Sequence, residues 1–160
     1  MPNTPTITTP DNLSLISPGK TIESPGLSVL AMYNPATQTY DPTSVTISGA
    51  MGPVSASAVR STALRSILRS TLRSELAAVN TDLDKRPPVK SFFKNSTGRR
   101  LSDARVKDPD DDILTNVALI VRLARLCHDY TNVCVARSFG IERFKAISLV
   151  RAARSAGYLD

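Results

Sequence analysis

The sequence predicts an α+β fold, in which a small N-terminal β-hairpin or meander and a long helix precede a basic linker and a C-terminal all-α helix-turn-helix. Three observations predict this class. Residues 44–48 alternate polar and apolar side chains with β-branched members, as a half-buried strand does. Leucines recur every four residues between positions 64 and 76. After residue 112 apolar residues again follow helical spacing, and Gly140 interrupts them.

The 160 residues have room for one substantial domain or two small ones, and they divide into four segments. Residues 1–26 are rich in Thr, Pro, Ser and Asn, which predicts a disordered tail. Residues 27–80 are predicted to form a small α+β module for oligomerisation or partner binding. Residues 81–111 are predicted to be a basic linker, and residues 112–160 a helix-turn-helix domain.

The N-terminal module begins with two predicted strands. Residues 27–33 have strand composition, and residues 44–48 supply the second strand. Between them, Asn34-Pro35 and Asp41-Pro42 carry turn chemistry. These signals predict a hairpin or a meander.

A long helix is predicted from about Ser55 to Asn80, with one leucine stripe and one arginine stripe. The leucines pack either on the small sheet or on a second copy of the chain, which would make a homodimer through residues 59–79. The arginine stripe favours a solvated face over a DNA site. It comprises Arg65, Arg69 and Arg73, with Arg60 roughly in line.

The predicted linker contains Pro87-Pro88 and Gly98, and it is basic until a run of aspartates begins at Asp108. Such a segment suits a flexible arm along phosphates. Its one apolar pair, Phe92-Phe93, indicates that a single spot docks on another part of the protein.

The C-terminal region is basic within a chain of net charge +6. Between Ile113 and Leu159 there are seven basic and two acidic residues, a net charge of +5. A basic helical module suits a polyanionic partner.

Residues 132–151 have the spacing of a helix-turn-helix. Ala136 lies four residues before Gly140, so a small side chain is available where two steeply crossing helices approach. The glycine allows the left-handed turn between them. The helix after the turn, about residues 142–156, is predicted to be the recognition helix.

Arg143 and Lys145 are predicted to reach base edges from the first turn of the recognition helix, and Arg151 and Arg154 to meet phosphates. Phe144 either packs against a thymine methyl group or is a core or dimer contact. The full predicted DNA-binding set is Asn132, Arg137, Arg143, Phe144, Lys145, Ser148, Arg151 and Arg154.

Other classes of function find little support. Cys127, His128 and Cys134 lie close in sequence, but their spacing does not match a zinc site, so no metal or other cofactor is expected. No nucleophile has a plausible base, which argues against an enzyme, and no small-molecule ligand is evident. Two buried reduced thiols, no membrane-spanning segment and no signal peptide predict a cytoplasmic protein.

The residues Val135-Ala-Arg-Ser-Phe-Gly-Ile141 and Val150-Arg-Ala-Ala-Arg-Ser-Ala-Gly-Tyr-Leu159 carry a family resemblance. The C-terminal region resembles poorly characterised helix-turn-helix proteins of actinobacteria and their phages. More loosely, residues 53–60 resemble the N-terminal part of that family, which often pairs strands with an element entering a helix. The resemblance implies the same scaffold and DNA binding. Its matching positions include Arg143, Ala146, Val150, Arg151, Ala153, Arg154 and Gly157.

The resemblance breaks down at the start of the recognition helix. Where the family has Ser-Arg-Ser-Thr, this chain has Glu142-Arg-Phe-Lys145. We therefore expect this chain to share the scaffold of the family but not its DNA target sequence. Glu142 suits the dipole at a helix N-terminus but not a DNA phosphate.

The leading hypothesis is a sequence-specific DNA-binding protein, a transcriptional regulator of actinobacterial or phage origin. One alternative is a protein-interaction adaptor that retains the helix-turn-helix scaffold without reading DNA, as Glu142, Phe144 and the leucine stripe indicate. Another is a phage virion or assembly component whose Pro/Thr-rich tail extends over a neighbour.

Overall fold

The computed structural model describes residues 7–8, 14–15, 19–24, 27–47 and 64–160. Over these residues the protein has a mixed α+β fold, with a three-stranded antiparallel sheet and six α-helices. The predicted α+β class is confirmed.

The strands are short and antiparallel. They are β1 Ile7–Thr8, β2 Ser14–Leu15, β3 Gly19–Ser24, β4 Leu27–Asn34 and β5 Thr39–Ile47. β1 pairs with β2, and the larger sheet has the order β3-β4-β5.

Three of these strands lie in the segment that the sequence predicts to be disordered, and for them that prediction is wrong. β3 pairs with β4 over six residue pairs, from Gly19 with Met32 to Ser24 with Leu27. The backbone ladder therefore stabilises a segment whose own apolar content is low. Leu15 in β2 adds a buried side chain.

The hairpin of β4 and β5 agrees with the predicted turn at Asn34-Pro35 and disagrees with the one at Asp41-Pro42. A turn spans residues 35–38. Pro42, however, lies within β5: Ala31 pairs with Pro42 and Leu30 with Ser44, which leaves Thr43 as an extra residue. Such a bulge tolerates a proline because the ladder is already interrupted there.

Helix α1 spans Leu64–Val79, and the predicted start at Ser55 lies outside the described residues. Leu68, Leu72 and Leu76 are buried, and α1 packs on β2, β3, α2 and α4 of the same chain. These three leucines therefore belong to the interior of this chain. Val79 is the large apolar side chain that the described part of α1 exposes.

The predicted linker 81–111 is largely folded, and this part of the prediction is wrong. It contains a 3-10 helix at Thr81–Lys85, α2 at Pro87–Phe93 and α3 at Asp103–Lys107. The two prolines begin α2, since the first helical positions need no backbone N–H. Burial of Val89, Phe92 and Leu101 fixes the segment on the rest of the chain.

The C-terminal part consists of α4 Asp111–Leu126, α5 Thr131–Ser138 and α6 Arg143–Ser155, each packed on the other two. The Asp110 carboxylate caps α4 by accepting from the Ile113 backbone N–H at 2.8 Å. The buried apolar residues form one cluster that extends from Leu15 to Leu159. Among the described residues, no helix is both long and apolar enough to span a membrane.

Candidate nucleic-acid interface

Helix α6 has one buried face and one exposed face. Ala146, Leu149, Val150 and Ala153 are buried against the other helices. The opposite face carries three arginines and no acidic residue. Its exposed residues are Arg143, Phe144, Ile147, Ser148, Arg151, Arg154 and Ser155.

A tight turn sets the direction of α6 relative to α5. Gly140 has φ 58°, in the left-handed region that glycine adopts at low cost. Its N–H donates to the Arg137 carbonyl at 3.2 Å, and the Ile141 N–H donates to the Ala136 carbonyl at 2.9 Å. Gly140 thus has the left-handed conformation that the spacing predicts for the turn, and Ala136 is half-buried within α5.

Lys145 faces the protein more than the solvent. Its Nζ lies 2.8 Å from Asp103 Oδ1 and 5.6 Å from the centroid of the Phe144 ring, and its side chain is 19% exposed. Hydrogen bonding from Lys145 lowers the pKa of Asp103, so the Asp103 carboxyl group is ionised at neutral pH. The structure therefore does not place Lys145 on the exposed face with Arg143 and Arg151.

The remaining predicted DNA-binding residues divide into two groups. On α6, Ser148 Oγ donates to the Phe144 carbonyl at 3.2 Å, and Arg154 Nε donates to the Asp160 carbonyl at 3.1 Å. On α5, Asn132 is half-buried near the N-terminus, and the Arg137 guanidinium donates to the Asn95 side chain.

Phe144 is exposed and is not part of the core, which resolves one alternative that the sequence leaves open. Phe144 is 63% exposed and Ile147, three residues later, is 38% exposed. Sequence analysis missed Ile147 as a surface residue. Its spacing from Phe144 and Arg151 on a helical wheel was the signal that could have found it.

The arginine stripe of α1 is partly internal. Arg65 is exposed, Arg69 is half-buried and Arg73 is buried. The Arg73 guanidinium pairs with Asp129, in the connection between α4 and α5, and lies over the Phe92 ring. For Arg73, the predictions of a solvated face and of a DNA site are both wrong, because this residue joins α1 to α2 and to the α4–α5 connection.

The one histidine makes polar contacts with the sheet, and the two cysteines are part of the core. His128 Nε2 lies 2.6 Å from the Tyr40 carbonyl oxygen and 3.6 Å from Asp41 Oδ1, linking the end of α4 to the sheet. Cys127 and Cys134 are buried free thiols. Within the described part of the chain, no group of three or more His, Cys, Asp and Glu side chains is arranged to hold a metal ion.

The chain matches no known protein family, no curated protein and no solved structure.

Proposed function

We propose that the protein binds double-stranded DNA sequence-specifically and regulates transcription. In this proposal α5, the Gly140 turn and α6 act as a helix-turn-helix, and α6 enters the major groove. One observation carries the proposal: the exposed face of α6 combines Arg143, Arg151 and Arg154 with no carboxylate. The same function is what the sequence resemblance of residues 112–159 to helix-turn-helix proteins of actinobacteria and their phages implies.

The chemistry of this face suits a major groove. Arginine binds guanine O6 and N7 in a bidentate manner, and apolar groups contact the thymine methyl group. Arg143 and Phe144 lie in the first turn of α6, where recognition helices contact bases. Arg151 and Arg154 lie two to three turns later and suit phosphates. Lys145, paired with Asp103, is the weakest of the predicted base contacts.

The decisive test compares Arg143→Ala with Arg151→Ala in the full chain. The target is a duplex selected from random sequences by the wild-type protein, and affinity is measured for it and for unselected duplex over a salt series. Arg143→Ala should cost about 1–3 kcal/mol on the selected site and much less on unselected duplex. Arg151→Ala should weaken both and make the salt slope shallower by about one.

Arg65→Ala is the matched control, since Arg65 is an exposed arginine on α1. It should leave both affinities close to those of the wild type. If Arg143→Ala and Arg151→Ala lower all binding equally, the protein binds DNA without reading its sequence. If the wild type binds no duplex even at low salt, DNA binding itself is wrong.

A protein-interaction adaptor is the second candidate, and the exposed pair Phe144 and Ile147 favours it. Exposed aromatic and aliphatic side chains beside arginines are also typical of protein interfaces. In that case Phe144→Ala would abolish capture of a protein partner. The wild-type chain would also bind no duplex DNA at any salt concentration.

A further inference from the structure

The segment 96–101 lies against the turn between α5 and α6. The Gly98 N–H donates to the Arg137 carbonyl at 2.8 Å, and the Leu101 N–H donates to the Phe139 carbonyl at 2.9 Å. Both carbonyls lie at the C-terminal end of α5, where the last carbonyl groups of a helix have no donor within the helix; the Arg137 carbonyl also accepts from the Gly140 N–H. The segment therefore caps α5 with its backbone.

Two glycines allow this close approach. A Cβ atom at position 98 would overlap the carbonyl oxygen of Ser138, and one at position 140 would lie 2.7 Å from the Gly98 carbonyl oxygen. No other residue type fits both positions without a shift of the backbone. The two backbones are consequently in direct contact.

Side chains hold the segment at both ends. Before it, the Asn95 side chain accepts from Arg137. Within it, Leu101 is buried in the core, and just after it Asp103 binds Lys145 of α6. We call residues 96–101 the strap, because it is held across the turn at both ends.

The strap presents two consecutive exposed arginines, Arg99 and Arg100. Arg100 lines a small cleft of about 120 Å³ together with Gly140, Ile141, Glu142 and Lys145. The acidic residues of this area are Asp103 and Glu142, both of which lie close to Lys145. The strap and the first turn of α6 together carry four basic residues, and the flanking Asp103 and Glu142 bring the net charge of this area to +2.

We propose that the strap is a phosphate-binding element, in which Arg99 and Arg100 contact the sugar-phosphate backbone bordering the groove that α6 enters. This inference rests on the proposed function. Phosphate is the favoured partner because guanidinium groups bind it with paired hydrogen bonds. A strap already fixed by its backbone and by Leu101 also loses little conformational entropy on binding.

The test uses the full chain, a labelled duplex of mixed sequence and a salt series. Arg99→Gln combined with Arg100→Gln should lower affinity and make the slope of log affinity against log salt shallower by about 1.8, or 0.9 for each lost phosphate contact. Arg99→Lys combined with Arg100→Lys keeps both charges and should retain most of the wild-type slope. Arg65→Gln combined with Lys85→Gln removes the same charge from α1 and the 3-10 helix and should leave the slope nearly unchanged.

The outcomes separate the strap from the proposed function. If the Arg99/Arg100 glutamine variant keeps the wild-type slope while Arg151→Ala weakens binding, the strap proposal is overturned and DNA binding by α6 stands. The strap is also overturned if the Arg65/Lys85 variant reduces the slope equally, because general charge then explains the effect. A wild-type chain that binds no duplex overturns both.

Discussion

The buried ion pair of Arg73 and Asp129 shows what one arginine contributes to this fold. Both side chains are less than a tenth exposed. Arg69 is a second basic neighbour of the same carboxylate, with its Nε 3.4 Å from Asp129 Oδ1. Asp129 also accepts from the Tyr130 N–H at 2.8 Å, just before α5 begins. A charge removed from water in this way requires its partner, because the desolvation cost persists when the partner is lost.

Arg73→Met should therefore destabilise the chain by about 3 kcal/mol, the lower end for breaking a buried pair, since Arg69 remains close to Asp129. Urea denaturation of the full chain measures the difference. Arg65→Met, two positions away along the same arginine stripe, is the control. As Arg65 is exposed, its loss should change stability by no more than about 0.5 kcal/mol. Equal stability of the two variants would show that Asp129 does not depend on Arg73.

At the scale of elements, the sequence predicts a helix or a turn correctly where the residues of that element themselves carry the pattern typical of it. The predicted recognition helix, about 142–156, corresponds to α6 at Arg143–Ser155, and the left-handed Gly140 is where its spacing indicated. The prediction of a linker over residues 81–111 is wrong because Pro87-Pro88, a feature of that predicted linker, begins α2 instead. The strap could not be predicted, since its hydrogen bonds join residues about forty positions apart in the sequence.

The contact between strap and turn can be tested with two glycines of similar conformation. Gly140 and Gly157 have φ of 58° and 81°, so an alanine at either position costs about 1–2 kcal/mol in backbone strain. Only at Gly140 would the new Cβ meet other atoms, namely the Gly98 carbonyl oxygen at 2.7 Å and Arg100 Cα at 3.0 Å. Gly140→Ala should be less stable than Gly157→Ala by about 1–3 kcal/mol of overpacking.

Thermal or urea denaturation of the two variants measures this difference directly, because the strain they share cancels. Matching losses of stability would mean that the strap moves away from the turn at little cost. The close approach of Gly98 and Gly140 would then not hold the strap in place.

At the scale of the whole molecule, the buried apolar residues that the structure describes form one cluster, whereas the sequence predicts separate modules joined by a linker. The predicted boundaries followed composition, which reports local polarity and not tertiary contact. Arg73, Phe92 and His128 join the segments through a buried ion pair, an aromatic contact and a hydrogen bond to the sheet. Periodicity identified the helices α4 to α6. The partners of Lys145 and Arg137 on the candidate interface depend on tertiary contacts that a single sequence does not reveal.

Two thiols within this cluster make the stability of the whole chain sensitive to alkaline pH. Burial raises the pKa of Cys127 from 9.0 to about 12, and burial together with the nearby Asp129 carboxylate raises that of Cys134 to about 12. Above pH 9 the unfolded chain releases these protons while the folded chain retains them. The unfolded state then binds fewer protons, so the free energy of unfolding falls as pH rises. This contribution is fully present below the unfolded pKa and is lost progressively toward the folded value.

Between about pH 8 and pH 10 the two thiols should together lower the free energy of unfolding by about 3 kcal/mol, or 1.4 kcal/mol for each thiol and each pH unit above 9. Urea denaturation at the two pH values measures the loss. A variant with Cys127→Ala and Cys134→Ala is the control, because it retains every lysine and tyrosine that also titrates in this range. Between the same two pH values, the free energy of unfolding of this variant should fall by about 3 kcal/mol less than that of the wild type. Parallel losses in the two proteins would show that the folded thiols ionise as readily as unfolded ones, and that the cluster around them admits water.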